Sequence, residues 1–192
     1  MKKIFHDLYL FISDILETVV LAFALFIVVN VFVAQLHEVY GNSMLPDFKN
    51  GEYLLTDKVT YRFRNPQRGD VIIFKSPEPP HRDYIKRVIG LPGESVTISD
   101  GKVYIYNATH PQGYQLKEDY LEPGMVTEGK TAMPNQTKYT VPADSYVVFG
   151  DNRAVSSDSR TWGAVTKSEI IGRSLVRLWP PNSFSFIAHA KY

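Results

Sequence analysis

The stretch from Ile15 to Leu36, ILETVVLAFALFIVVNVFVAQL, constrains this 192-residue chain more than any other feature. At about 1.5 Å of rise per residue, these roughly 22 residues reach about 33 Å as a helix, enough to cross the hydrocarbon core of a bilayer. Glu17 and Thr18 lie near one end and Gln35 near the other, where polar groups reach the interface cheaply. Asn30 is the strongly polar side chain well inside, and its amide can be satisfied locally, by a neighbouring helix or by a bound peptide. The run exceeds the apolar region of a cleaved secretion signal, about 7–15 residues, and its end, FVAQLHEVYG, offers no A-x-A cleavage site. An uncleaved single-pass anchor over residues 15–36 is therefore expected. Lys2 and Lys3, with little acid nearby, orient the N-terminus to the cytoplasm and leave residues 37–192 outside. Residues 1–14 are expected to form an amphipathic lead-in helix, with Ile4, Phe5, Leu8, Phe11 and Ile12 on one side.

Past residue 38 the helical periodicity stops, and short β-branched and aromatic runs take over, separated by turn residues. EYLLTDKV, DVIIFKS, YIKRVIG, SVTI, KVYIY, SYVVFG and IIGRSLVRLW read as strands of a mainly β, antiparallel domain. Asp100-Gly101 between SVTI and KVYIY is a strong hairpin signal. Residues 107–142 are more polar and turn-rich, and read as an elaboration inserted between core strands.

Several function classes fall away. A net charge of +1 gives no electrostatic footprint for nucleic acid. Cysteine is absent, which excludes disulfides, thiolate metal sites and a cysteine nucleophile. His6, His37, His81, His110 and His189 are scattered without ligand spacing, so neither a metal nor another cofactor is expected. The G-x-S-x-G nucleophile elbow is missing as well.

Three stretches carry possible chemistry. In VYGNSMLPDF, Ser43 is either a turn cap or a nucleophile held just after the anchor. In DYIKRVIG, strand alternation puts Tyr84, Lys86 and Val88 on one face and Ile85, Arg87 and Ile89 on the other. Either both cations snorkel from a half-buried edge strand, or one is a desolvated amine. A lysine base working near neutrality needs its pKa lowered from about 10.4 by about 2–3 units, and it could then take a proton from a serine hydroxyl. GDNRAVSSDSR, residues 150–160, is a polar run behind an apolar strand. Alone it reads equally as a surface turn with a solvated Asp158–Arg160 pair.

Taken in order behind an N-terminal anchor, GNSMLPDF, RGDVIIFKSPEPPHRDYIKRVIGLPGE and GDNRAVSSDSR resemble the bacterial type I signal peptidase family, over about residues 15–178. The resemblance implies a membrane-anchored serine endopeptidase, with an antiparallel β-sheet catalytic domain, that removes signal peptides from exported preproteins after small, A-x-A-like residues. Ser43 matches the family nucleophile and Lys86 its general base. Ser156 matches a serine that hydrogen-bonds and positions the lysine. Asp158 and Arg160 match a bracing pair, with Asp151, Asn152 and Arg153 as structural support. Met44 and Pro46 fit an apolar, membrane-facing turn. Many members carry a serine two residues before the nucleophile as an oxyanion donor. Here Gly41 stands there, as in members of Gram-positive type, which leaves the backbone N–H of Ser43 as the donor. The implied partners are signal-peptide-bearing preproteins and the lipid bilayer. A non-cleaving anchored β module that binds preproteins, or a specialised processing peptidase of pilus or conjugation type, shares the same sequence features.

Overall fold

The computed structural model describes residues 2–190 and 192. Its first element, α1 (Lys2–Phe32), is one unbroken helix of 31 residues. No break separates the expected lead-in from the expected anchor. Leu21, Phe23, Leu25 and Phe26 are all exposed on it, and nothing else among the described residues covers them. The helix is long and apolar enough to cross a bilayer.

The helix ends earlier than the apolar run does. Val33 N–H bonds the Val29 carbonyl, and Lys58 N–H bonds Val33 O. The Lys58 ammonium reaches back to the carbonyls of Asn30, at 3.0 Å, and Val31, at 3.4 Å. Carbonyls that a helix end leaves without intrahelical partners are thereby satisfied. Strand β1 (Ala34–Glu38) follows at once, and Ala34, Gln35 and Leu36, expected in the anchor, pair instead with Asp57, Thr56 and Leu55. A continuous apolar run has no period that separates the end of a helix from the start of a strand, so only the pairing partner decides.

The remaining elements are β2 (Tyr53–Asp57), α2 (Thr60–Phe63), β3 (Val71–Lys75), β4 (Asp83–Gly90), β5 (Ser95–Ser99), β6 (Lys102–Tyr106), β7 (Tyr114–Gln115), β8 (Tyr139–Thr140), β9 (Ser145–Phe149), α3 (Ser159–Trp162), β10 (Val165–Thr166), β11 (Ile170–Trp179) and β12 (Ser185–Phe186). They form the mainly β, antiparallel domain that the strand patterns indicate. The larger sheet runs β1-β2-β11-β3-β4-β9-β10, with β12 added on β11, and the smaller runs β7-β6-β5-β8. The β5–β6 hairpin turns where expected: Asp100 and Gly101 both take positive φ, 50° and 75°, as a two-residue type I′ loop requires. Residues 107–142 supply the two short flanking strands of the smaller sheet.

Ile89, Val96, Ile98, Val103, Val147 and Phe149 seal the two sheets against each other. A second core, with Val39, Met44, Phe48, Leu54 and Ile85, lies under the segment that carries Ser43. Met44, expected on a membrane-facing turn, is 1% exposed and belongs to this core, while Pro46 is exposed. Phe48 N–H bonds the Met44 carbonyl at 2.9 Å, and this turn carries Met44 and Phe48, four residues apart, into the same core. The larger sheet also curls. β1 and β4 are not neighbours in it, yet His37 of β1 and Asp83 of β4 approach to 3.4 Å.

Candidate active site

Strand β4 is an edge strand only in its first half. Its partner on one side is β3 along Asp83–Arg87, and on the other β9 from Arg87 onward. Neither cation of DYIKRVIG snorkels: Lys86 is 4% exposed and Arg87 is 1% exposed. The alternation holds in part of the strand, where Tyr84 and Val88 share a core and the Lys86 amine lies 5.2 Å from the Tyr84 ring centre.

Ser43 and Lys86 meet. The Ser43 Oγ to Lys86 Nζ distance is 2.9 Å, and Nζ also bonds the Ile85 carbonyl at 2.9 Å. Burial lowers the lysine pKa to about 8; the carboxylates of Asp158 and Asp151 oppose that shift, and Arg160 assists it. Holding an amine that far below its ordinary 10.5 costs about 3 kcal/mol at neutral pH. At pH 7 about one lysine in ten is then neutral, against fewer than about one in a thousand for an exposed side chain.

The turn that carries Ser43 is fixed from both ends. Val39 N–H and the Val39 carbonyl pair with Glu52 O and Gly51 N–H, which continues the β1–β2 ladder. Gly41 then turns the chain at φ +83°, with its N–H on Asn50 Oδ1 at 2.8 Å. A Cβ on Gly41 would meet nothing within 4 Å, so the position calls for glycine by its backbone conformation rather than for space. Beyond it, the Ser43 carbonyl accepts from Asn152 N–H at 3.0 Å, which ties the turn to the 150–160 segment. Among the described residues the Ser43 N–H donates to no partner.

Gly150 makes that junction possible. A side chain there would collide with both the Ser43 carbonyl and the Ser156 hydroxyl. Ser156 is fully buried beside it, near the Asp158 carboxylate, yet among the described residues its Oγ makes no well-formed hydrogen bond and none to Lys86. The lysine amine bonds Ser43 and Ile85, and among the described residues the expected Ser156–Lys86 bond is not made.

The charged residues of the 150–160 segment form a buried frame behind the pair. Asp158 caps α3 and accepts both Arg160 guanidinium bonds at 2.8 Å, together with Gly150 N–H at 3.0 Å. Burial works against its charge, but the Arg160 and Gly150 bonds hold its carboxyl below the usual carboxylate range. Asp151 takes a two-pronged bond from Arg87, at 2.9 and 2.6 Å, and Asp47 adds a second carboxylate to that guanidinium at 3.0 Å. Arg153 bonds the Gly150 carbonyl at 3.0 Å. These ions persist out of water because each is paired and hydrogen-bonded.

Part of this frame comes from residues with no signal in the sequence. Glu118 pairs with Arg153, Thr127 accepts from Arg153 at 2.5 Å, Glu128 O accepts from Arg160 at 3.1 Å, and the Lys130 amine bonds Ser156 O at 2.5 Å. All four lie in residues 107–142, so the apparent elaboration braces the site. Their partners are 26 to 35 residues away along the chain, beyond the reach of any local pattern.

A cleft of about 520 Å³ opens beside Ser43 and Lys86, walled by β1 and the start of β4. Near the serine its lining is apolar, with Val39, Leu54, Ile73 and Ile85. The first half of β4, Asp83–Lys86, is paired only to β3 and leaves its other backbone edge free beside the cleft. Among the described residues no group of three or more His, Cys, Asp or Glu is placed to hold a metal.

The family model described as signal peptidase, peptidase S26, matches residues 12–179. A signal peptidase I of Leptolyngbya laminosa is 39% identical over 177 residues, covering 87% of this chain and 79% of that protein. Signal peptidase IB of Staphylococcus aureus (strain COL) is 31% identical over 186 residues, covering 90% and 93%. A crystal structure of a signal peptidase I from Enterococcus faecalis V583 shares 34% identity at a TM-score of 0.45, covering 57% of this chain and 97% of that one. With a family model spanning most of its length and relatives above 30% identity covering nearly all of it, this chain belongs to the signal peptidase family, peptidase S26.

Proposed function

We propose that the protein is a membrane-anchored serine endopeptidase in which Ser43 is the nucleophile and Lys86 the general base, cleaving signal peptides from preproteins. The observation that carries this reading is the 2.9 Å approach of a buried lysine amine to a serine hydroxyl at the end of an open cleft. In its neutral form the amine accepts the hydroxyl proton while Oγ attacks the scissile carbonyl. The resulting oxyanion faces the uncommitted Ser43 N–H. The lysine then returns the proton to the departing amine. A water activated by the same amine hydrolyses the acyl-serine ester and regenerates the free hydroxyl.

Ser156, Asp158, Arg160, Asp151, Asn152 and Arg153 act by position. Asn152 fixes the Ser43 carbonyl, and the paired ions hold the loop under both reacting groups. An extended substrate pairs along the free edge of β4, and its small residue before the scissile bond enters the apolar lining at Val39, Leu54 and Ile85. Helix α1 crosses the bilayer with its lysine-bearing end in the cytoplasm and the β domain outside. Tethering enzyme and substrate to one surface raises their effective concentration without any further contact. The test is cleavage of a preprotein in detergent by Ser43→Ala and by Lys86→Ala. Both should lose nearly all activity, and near-normal cleavage by either overturns the proposal.

A further inference from the structure

Three cations from separate parts of the chain converge beside the last turn of α1. Lys58 follows β2, Arg62 stands in α2, and Lys167 follows β10. With Val31, Ile170 and Ile171 they line a shallow pocket of about 340 Å³. The Arg62 guanidinium lies 5.9 Å from the centre of the Phe32 ring, at the residue where α1 ends. Phe63, next in the chain, is 85% exposed, the condition of an aromatic side chain that meets a lipid–water boundary. The last turn of α1 carries no basic residue of its own, so the positive charge at this end of the helix comes from the β domain.

No acidic residue lines this pocket. Among the described residues none of the three cations is paired with a carboxylate. The Lys58 amine bonds the Asn30 and Val31 carbonyls, the Lys167 amine bonds Asn65 Oδ1 at 2.7 Å, and the Arg62 guanidinium faces the Phe32 ring. An ammonium has three N–H donors and a guanidinium five, so donors remain on each. Around the Ser43–Lys86 pair, by contrast, Arg87, Arg153 and Arg160 each hold a carboxylate. Like charges that share a pocket repel, and an anion between them removes that cost. A net charge of +1 over the whole chain conceals this local excess. The class of anion follows from the rest of the lining. Val31, Ile170 and Ile171 offer apolar surface beside the cations, at the end of a helix that leaves its own apolar side chains uncovered. A phosphodiester that carries acyl chains satisfies both parts, whereas a zwitterionic headgroup brings an ammonium that the three cations repel.

We propose that Lys58, Arg62 and Lys167 form a headgroup site for an anionic phospholipid where α1 leaves the bilayer. The inference rests on the membrane-spanning reading of α1 above and is independent of the peptidase chemistry. The lipid phosphate sits among the three cations, and its chains run back along the helix. Such a lipid bridges α1 and the β domain, and so adds to the link that Lys58 makes with the helix-end carbonyls.

The experiment places the full-length protein in vesicles of equal parts dioleoyl-phosphatidylglycerol and dioleoyl-phosphatidylcholine. The vesicles are washed with alkaline carbonate and extracted in mild detergent, and the lipid retained on the protein is counted by native mass spectrometry. The wild type should retain phosphatidylglycerol over phosphatidylcholine by at least about tenfold. Each cation at an anionic lipid surface is worth about fivefold in affinity, so Arg62→Gln should lower phosphatidylglycerol retention about fivefold and Arg62→Gln/Lys167→Gln about 25-fold. Lys102→Gln/Lys138→Gln removes two exposed cations of the smaller sheet and should stay within about twofold of the wild type. Lys2 and Lys3 are common to every variant, and unchanged thermal unfolding in detergent shows that each variant is folded. Equal retention of the two lipids by the wild type, or an equal loss in both double variants, overturns the site and leaves the anchor standing. Inorganic phosphate at matched ionic strength should not displace the retained lipid, and displacement overturns the lipid in favour of free phosphate. A wild-type chain that the carbonate wash removes from the vesicles overturns the spanning reading and the site with it.

Discussion

Helix α1 and the segment after β9 depart from the ordinary inside–outside pattern in opposite directions. In α1, Phe23, Leu25 and Phe26 leave more than 60% of their surface uncovered. In the 150–160 segment, Asp151, Arg153, Asp158 and Arg160 are each at most 1% exposed. An apolar surface of that extent requires a solvent other than water, and a bilayer supplies it. A cluster of buried ions requires partners in fixed geometry, and the Arg87–Asp151 and Asp158–Arg160 pairs supply them. Lys86 stands between these regimes. It is buried like the ions, yet among the described residues it has no carboxylate partner and bonds the Ser43 hydroxyl and the Ile85 carbonyl. Of the buried cations around the site, it is the one left free to lose its proton.

Removing either member of the Ser43–Lys86 pair is the strongest way to break this contrast. Ser43→Ala and Lys86→Met should each lower kcat/KM by about a thousandfold or more in a preprotein cleavage assay. Lys86→Met should also raise stability at pH 7, by up to about 3 kcal/mol in denaturant unfolding, because no charged amine must then be held out of water. The sign follows from a folded-state pKa below the unfolded one: the penalty is complete below about 8 and vanishes as pH rises past 10.5. The stabilisation should therefore disappear in alkaline buffer.

Breaking a paired ion should do the opposite. Arg160→Ala strands the Asp158 carboxylate in a dry site and should cost about 3–5 kcal/mol of stability. Asp158→Asn removes a charge that holds the lysine pKa up, so whatever activity survives should have its acidic limb moved to lower pH. Gly150→Ala pushes a Cβ into the Ser43 carbonyl and Ser156, and should lower kcat by about a hundredfold with little change in KM, measured on the same preprotein.

On the lipid side the effects are smaller. Phe23→Arg places a charge mid-helix at about 2.5–3.5 kcal/mol, and should shift the chain out of the membrane fraction while detergent-phase cleavage persists. Lys58→Ala loses only the bonds to the Asn30 and Val31 carbonyls, and should change unfolding stability by about 1 kcal/mol.

The same contrast explains what a reader of the letters can and cannot see. The strands DVIIFKS, KVYIY and SYVVFG announce themselves because β-branched alternation and turn residues are local signals, and the Asp100-Gly101 turn is dictated by two residues. Ser43, Lys86 and the 150–160 run stand out as stretches, but their meeting depends on the curl of the larger sheet and on β9 pairing with β4 from Arg87 onward. The burial of Lys86 and Arg87 has no local signal for that reason, since cations on a covered strand and on an open edge strand read alike. Ala34–Leu36 reads as part of the anchor because its partner, Asp57 to Leu55, lies some twenty residues downstream. Met44 turned inward for want of any local cue. The bracing contributions of Glu118, Thr127 and Lys130, and the His37–Asp83 contact, exist only in three dimensions.

The most direct test is a titration of the Lys86 ε-amine by NMR, using the full-length protein with labelled lysine in detergent and Lys86→Met to assign the signal. A midpoint near 8, matched by the acidic limb of kcat/KM, is the expected result. A midpoint at the ordinary lysine value of 10.5 would contradict it, because the amine would then carry its proton throughout the neutral range and could not act as the base for Ser43.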